Sequence, residues 1–219
     1  MLGLLSLAAS AFIVGFSGAM APGPLTAMTV AESARRGFRA GPLLTLGHAI
    51  AEIGIIIALA LGFSRLFQHA LVSGVIALVG GIVLVWMGAR LARSVWQGKL
   101  SLARQDTAGD PVPAINDVRT GFLVSVSNPY WILWWATVGA AYVVMALAYG
   151  VLGLIALFVG HIMSDLTWNS LLAFAASSGR RVVSDRIYRA ALFACGLFLV
   201  AMGITFTWAG VGFLAKFAG

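Results

Sequence analysis

The stretch that decides the fold runs from Gly15 to Glu52 and reads GFSGAMAPGPLTAMTVAESARRGFRAGPLLTLGHAIAE. Its first part belongs to an apolar run, roughly Leu4 to Ala31, that meets no charge until Glu32 and contains Pro22-Gly23-Pro24. A basic turn with Arg35, Arg36 and Arg39 follows, and then a second apolar run, Pro42 to Phe63, with His48 and Glu52 inside it. Proline has no N–H and clashes with the carbonyl one turn back. Pro22, Gly23 and Pro24 together therefore predict a helix unwound locally, with carbonyls near Gly18 to Met20 losing their intrahelical partners. Unpaired backbone is tolerated at membrane depth only beside protein or in a watered cavity. The half-helix beginning near Leu25 would aim its positive end at that cavity, which suits a carboxylate. A kink that only shapes packing is the alternative, since proline is frequent in membrane helices.

Outward from this stretch the composition agrees. The chain has 219 residues, of which 61% are hydrophobic and 10% charged, with mean hydropathy +0.98. Soluble domains carry about 45–50% apolar and about 25% charged residues, so a water-soluble globule and a disordered chain are excluded. The net charge of +7 reads as basic loops at an anionic membrane face and not as a nucleic-acid footprint. Cys195 is the single cysteine. It allows no intrachain disulfide and reads as a small packing residue.

Four further apolar runs follow: Ala70 to Ala89, Thr120 to about Val144, about Ala148 to Ala176, and Ile187 to Phe213. The Arg90–Arg119 segment between them reads as a polar linker. The fourth and fifth runs are split near Ala146–Gly150 on length alone, because a span needs about 20 residues. The first run lacks a basic n-region and is too long for a signal peptide, so it reads as a retained helix. The expected fold is an all-α integral membrane protein of six transmembrane helices, forming one transport domain over residues 1–219.

Twelve of the fourteen basic residues fall in the odd loops, leaving Arg65 and Lys216 on the other face. The positive-inside rule then places both termini outside the cytoplasm. The halves also resemble each other. Gly15-Phe16 with Pro22-Gly23-Pro24 recurs as Gly121-Phe122 with Asn128-Pro129, and Gly47-His48 with Glu52 recurs as Gly160-His161 with Asp165. Three helices per half predict two inverted repeats, residues 1–89 and 120–219, joined by a cytoplasmic linker over 90–119. Helices 1 and 4 are the broken ones, and Asn128 adds an amide that both donates and accepts.

Glu52 and Asp165 sit deep in their runs, where a carboxylate costs at least about 2.5–3.5 kcal/mol. The i, i+4 spacing stacks His48 over Glu52 and His161 over Asp165. Each pair can share a proton or hold a substrate ammonium. A neutral His–acid hydrogen bond that locks two helices is the structural alternative. Trp168 and Asn169 lie one turn from Asp165. Tyr130, Trp131, Trp134 and Trp135 either wall a cavity with cation–π capacity or anchor the helix in lipid. Gly80, Gly81 and Gly88 permit close helix contact, which allows a homodimer without requiring one.

These residues resemble the LysE/RhtB family of amino-acid exporters. The resemblance begins at Ala21-Pro22-Gly23-Pro24, continues through the turn from Ala34 to Gly41 to Gly47-His48, and resumes at Gly121 and Ser127-Asn128-Pro129. Pro22, Gly23, Pro24, Asn128 and Pro129 match the family's hallmark positions. Many relatives place a basic residue after the Asn-Pro, where this chain has Tyr130. The resemblance implies a bacterial inner-membrane exporter driven by the proton gradient, with an amino acid and protons as its partners and no cofactor. The resulting expectation is a secondary exporter whose substrate carboxylate meets the half-helix ends and whose ammonium meets Asp165 or Glu52. The runner-up is transport of a metal or other small cation by the His–acid pairs. An intramembrane enzyme is disfavoured, because no nucleophile motif appears.

Overall fold

A computed structural model describes residues 2–20, 23–62, 70–98, 114–179 and 184–218. Pro22, Arg65, Lys99, Arg104, Arg180 and Arg181, which entered the sequence reading, lie outside them. The described residues are helical throughout, with no strand. In chain order they form α1 (Leu2–Ala19), α2 (Pro24–Arg36), α3 (Ala40–Ala60), α4 (Ala70–Trp96), α5 (Ala114–Val126) and α6 (Pro129–Trp134). A π-helical turn, Trp135–Gly139, leads into α7 (Ala140–Leu147), followed by α8 (Gly150–Gly179) and α9 (Asp185–Ala218).

Five of the described helices are long and apolar enough to cross a membrane: Ala40–Ala60, Gly74–Trp96, Tyr130–Leu147, Gly150–Gly179 and Asp185–Gly212. A shorter apolar helix, Leu2–Phe16, precedes them. The chain is therefore a multi-pass membrane protein.

The expected 90–119 linker is shorter than its charges suggested. α4 continues to Trp96 and α5 starts at Ala114, so Arg90, Arg93, Asp117 and Arg119 are helical. Charges end a hydropathic run without ending a helix. Arg90, for instance, lies over the Trp86 ring at 4.9 Å, its stem covering apolar surface.

Helix partners set where the site lies. α4 packs along α9, α1 along α8, and α3 along α5. Glycine makes the closest approaches possible. A Cβ on Gly47 would collide with the Val118 carbonyl, and one on Gly121 with the Leu44 carbonyl, so α3 and α5 meet backbone to backbone. Gly160 presses against the Ala8 carbonyl in the same way. Gly80, Gly81 and Gly88 are taken up inside the chain, against Ser127, Gly203 and Gly196. Between α2 and α3 the chain turns at Gly37, whose φ of 92° is one that side chains other than glycine's rarely tolerate. The largest core group gathers Trp135, Leu157, Val143, Leu7, Ile55 and Ile132 directly beside the polar cluster described next.

Candidate functional site

On α3, His48 and Glu52 share one face because they are four residues apart. On α8, His161 and Asp165 do the same. α3 and α8 are neighbours, and their two faces meet. His48 Nε2 lies 3.2 Å from Glu52 Oε1, and His161 Nε2 lies 3.1 Å from that same oxygen. Asp165 Oδ2 is 3.6 Å from His161 Nε2 and 3.9 Å from His48 Nε2. The two pairs expected from sequence are thus one cluster of four groups. All four are buried, Glu52 with no exposed surface at all. Among the described residues neither Glu52 oxygen nor Asp165 Oδ2 has an aligned hydrogen bond, although Glu52 Oε1 and Asp165 Oδ2 lie at ion-pair distance from imidazole nitrogen.

The proton on one ring follows from its neighbour. Ser125 Oγ donates to the Gly121 carbonyl at 2.7 Å and stands 2.7 Å from His48 Nδ1. A hydroxyl has one proton to give, so at His48 the Ser125 oxygen accepts. His48 therefore carries its proton on Nδ1 and turns Nε2 to the carboxylates. His161 is held by shape. A Cβ on Gly15 would come within 2.6 Å of its Nδ1, and the rings of Trp134 and Trp135 lie 4.8 Å and 5.0 Å from its own.

A cavity of about 260 Å³ opens beside the cluster, lined by His48, His161, Asp165 and Asn169. This lies below the range of about 300–1,000 Å³ typical of pockets for drug-sized ligands, and it suits one small molecule. Its far wall carries Gly23, Leu25 and Thr26 from the start of α2. Gly23 caps α2 with extended backbone and no side-chain hydrogen bond. Pro24 at the first helical position has no N–H, and the Leu25 and Thr26 amides are the other donors of that first turn. Thr29 Oγ1 donates to Asn169 Oδ1 at 3.2 Å, tying α2 to α8. Asn128, Tyr130, Trp131 and Trp134 close another side. Asn128 uses its Oδ1 to cap α6, accepting from the Tyr130 N–H at 3.1 Å, so of its two polar groups the NH₂ remains for other work.

The sequence-derived candidates therefore divide. Gly23, His48, Asn128, His161 and Asp165 line the cavity. Glu52 lies behind them within reach of both imidazoles. Pro24 and Pro129 each occupy the first turn of a helix. Pro22 is outside the described residues. Trp168 is not among the lining residues and packs edge-on against Phe16, with ring centroids 6.0 Å apart. Ser125 was not singled out in the sequence, although a small polar residue one turn before the Asn-Pro break was its signal. Trp131 and Trp134 face the cavity, whereas Trp135 is fully buried.

A second polar cluster lies toward the α2–α3 turn. Glu32 Oε1 pairs with Arg35 at 2.7 Å and Oε2 with Arg36 at 2.7 Å. Arg36 also pairs with Asp117 of α5. Burial pushes the Asp117 carboxyl up from its ordinary value, and the Arg36 guanidinium offsets part of that rise.

Known proteins resemble this chain along most of its length. The sequence profile of the LysE type translocator family matches residues 16–210. A Bacillus subtilis protein named "Putative amino acid efflux protein YcgF" is 25% identical over 203 residues, covering 92% of this chain and 95% of its own. A Pseudomonas aeruginosa protein named "Chemotactic transduction protein ChpE" is 25% identical over 201 residues, covering 91% of this chain and 96% of its own. No solved structure matches the chain. With a multi-pass helical fold and a family match over most of its length, the chain belongs to the LysE type translocators.

Proposed function

We propose that the chain exports amino acids or related small zwitterions across a bacterial inner membrane in exchange for protons. The observation that carries this reading is the composition of the cavity wall. First-turn residues of α2 and Asp165 line one small cavity, where a helix N-terminus offers a cationic end for a carboxylate and the acid an anion for an ammonium. Trp131, Trp134 and Tyr130 supply aromatic faces beside them. Protons arriving from outside would reload the His–acid cluster and release the ammonium. Residues 1–219 act as a single transport domain without a cofactor, and both termini lie on the periplasmic face.

The transport cycle rests on two inverted repeats, 1–89 and 120–219, rocking about the cavity. The exchange of packing partners supports this. The first helix of each half packs on the second helix of the other, and the two third helices pack together. The interruptions between Ala19 and Pro24 and between Val126 and Pro129 occupy corresponding places in the two halves.

The test is efflux from proteoliposomes preloaded with pooled labelled amino acids, with and without an imposed pH gradient. One class should leave faster when the gradient is applied. Asp165→Asn should cut that efflux by about tenfold or more, as expected when a charged partner is lost. Wild-type efflux by Asp165→Asn would refute the site. Retention of every amino acid by folded, inserted protein would refute the function.

A further inference from the structure

We propose that His48, Glu52, His161 and Asp165 form a site for one divalent d-block cation of zinc-like size and ligand preference. This goes beyond the amino-acid reading and does not rest on it.

Four tetrahedral donors at about 2.0–2.2 Å from a metal stand roughly 3.3–3.6 Å apart. The four nitrogen–oxygen separations in the cluster are 3.1, 3.2, 3.6 and 3.9 Å. Donor atoms of His48, Glu52 and Asp165 all lie within 4.8 Å of one another, and His161 joins these three through its contacts to the Glu52 and Asp165 oxygens. Two imidazoles with two carboxylates are a ligand set for zinc, cobalt or nickel and a poor one for calcium or magnesium.

His48 is oriented as a metal ligand would be. A metal-binding histidine gives its other ring N–H to an outer partner, which fixes the tautomer. Ser125 is that partner, accepting from Nδ1 at 2.7 Å while its own proton goes to the Gly121 carbonyl. The Nε2 lone pair then faces a Glu52 oxygen at 3.2 Å. Two lone pairs at that distance need a cation between them, either a proton or a metal ion.

Charge favours a cation as well. Two neutral imidazoles and two carboxylates carry a charge of −2 among buried groups, which is costly unless neutralised. One divalent cation neutralises them, and so do two protons. Among the described residues, both Glu52 oxygens and Asp165 Oδ2 lack aligned hydrogen bonds. The cavity beside His48, His161 and Asp165 gives the ion a way in. Besides the four groups, Tyr130 is the titratable side chain on the cavity wall. The Glu32–Arg36–Asp117 cluster supplies none of the cavity's lining residues.

The experiment titrates Co²⁺ into full-length protein, without a polyhistidine tag, in detergent micelles. We expect one Co²⁺ per chain with the intense visible bands of a tetrahedral site, displaced by Zn²⁺. Affinity should fall as pH falls, because the ligands bind metal in their deprotonated forms. Ser125→Ala should weaken binding by about 10–100-fold and Glu52→Gln by more than that. If Glu52→Gln does not fold, Ser125→Ala alone decides. Folded wild-type protein that gives no stoichiometric cobalt spectrum, or only weak octahedral bands, overturns the proposal. So does binding that ignores the substitutions. Failure here would leave amino-acid efflux untouched, and failure of efflux would leave the cobalt result standing.

Discussion

The α3 pair and the α8 pair have the same spacing and opposite surroundings. Glu52 is sealed from solvent and has an imidazole from each helix against the same oxygen. Asp165 lines the cavity and keeps longer distances to both rings. On the histidine side, Ser125 sets His48 by a hydrogen bond, whereas two tryptophan rings and Gly15 set His161 by contact. The lesson is a division of labour. The α3 acid organises the cluster, and the α8 acid meets whatever enters.

The sharpest way to break this comparison is to neutralise each acid in turn. Removing one partner of a buried charged set costs about 3–5 kcal/mol, and Glu52→Gln should approach that loss in denaturant unfolding. Asp165→Asn should lose clearly less stability, because its carboxyl adjoins a cavity that water can fill, while losing more transport. Equal stability losses would erase the distinction.

One layer out, Gly121→Ala drives a methyl into the Leu44 carbonyl and should cost about 1–3 kcal/mol by overpacking. Gly15→Ala meets movable side chains, the His161 ring and the Ser164 hydroxyl. It should therefore reduce efflux more than stability. Gly54→Ala, with nothing within 4 Å of the new atom, should stay within about 0.5 kcal/mol of wild type. Calorimetry and efflux on the same three variants would separate these outcomes.

Ser125→Ala touches only the α3 side. It leaves the His48 Nδ1–H without its acceptor, a loss of about 1–3 kcal/mol for a buried donor. Comparing the His48 and His161 ring signals by NMR should show a change confined to His48. A matching change at His161 would mean that the two rings are not set independently.

The smallest effect lies outside the membrane spans. Burial raises the Asp117 carboxyl above its ordinary 3.8 while Arg36 restrains it. A carboxyl raised in the folded state contributes stability that is full below its unfolded value and lost as pH rises through the folded one. Arg36→Gln removes the restraint and leaves Asp117 near Glu32. The variant should lose roughly 1 kcal/mol at neutral pH and regain it as pH falls toward 4. A pH-independent deficit would show that Asp117 is not responsible.

Much of this was legible because charge is rare in hydrocarbon. Glu52 and Asp165 stood out as carboxylates deep in apolar runs, and i, i+4 spacing placed a histidine over each. What spacing on one helix cannot reveal is which face meets which across helices. Crossing distances such as His161 to Glu52 at 3.1 Å therefore appeared only in three dimensions. Glu32 was read as the charge that ends the first apolar run and Asp117 as part of the 90–119 linker, yet both are buried and paired with Arg36. The π-helical turn at Trp135–Gly139 left no mark in hydropathy. It starts at Trp135, which is fully buried, directly after Trp134, which lines the cavity.

The packing of α1 on α8 and of α3 on α5 also dictates an order of events at the ribosome. When α3 leaves the exit tunnel, neither the helix that will pack along it nor the helix bearing His161 and Asp165 has been synthesised. Glu52 must then wait in the bilayer with His48 as its near companion, and α1 waits longer still for α8. The first half of the chain cannot mature alone, and a chain truncated before Gly150 is expected to be cleared as an orphan and not to persist as a half-size pore.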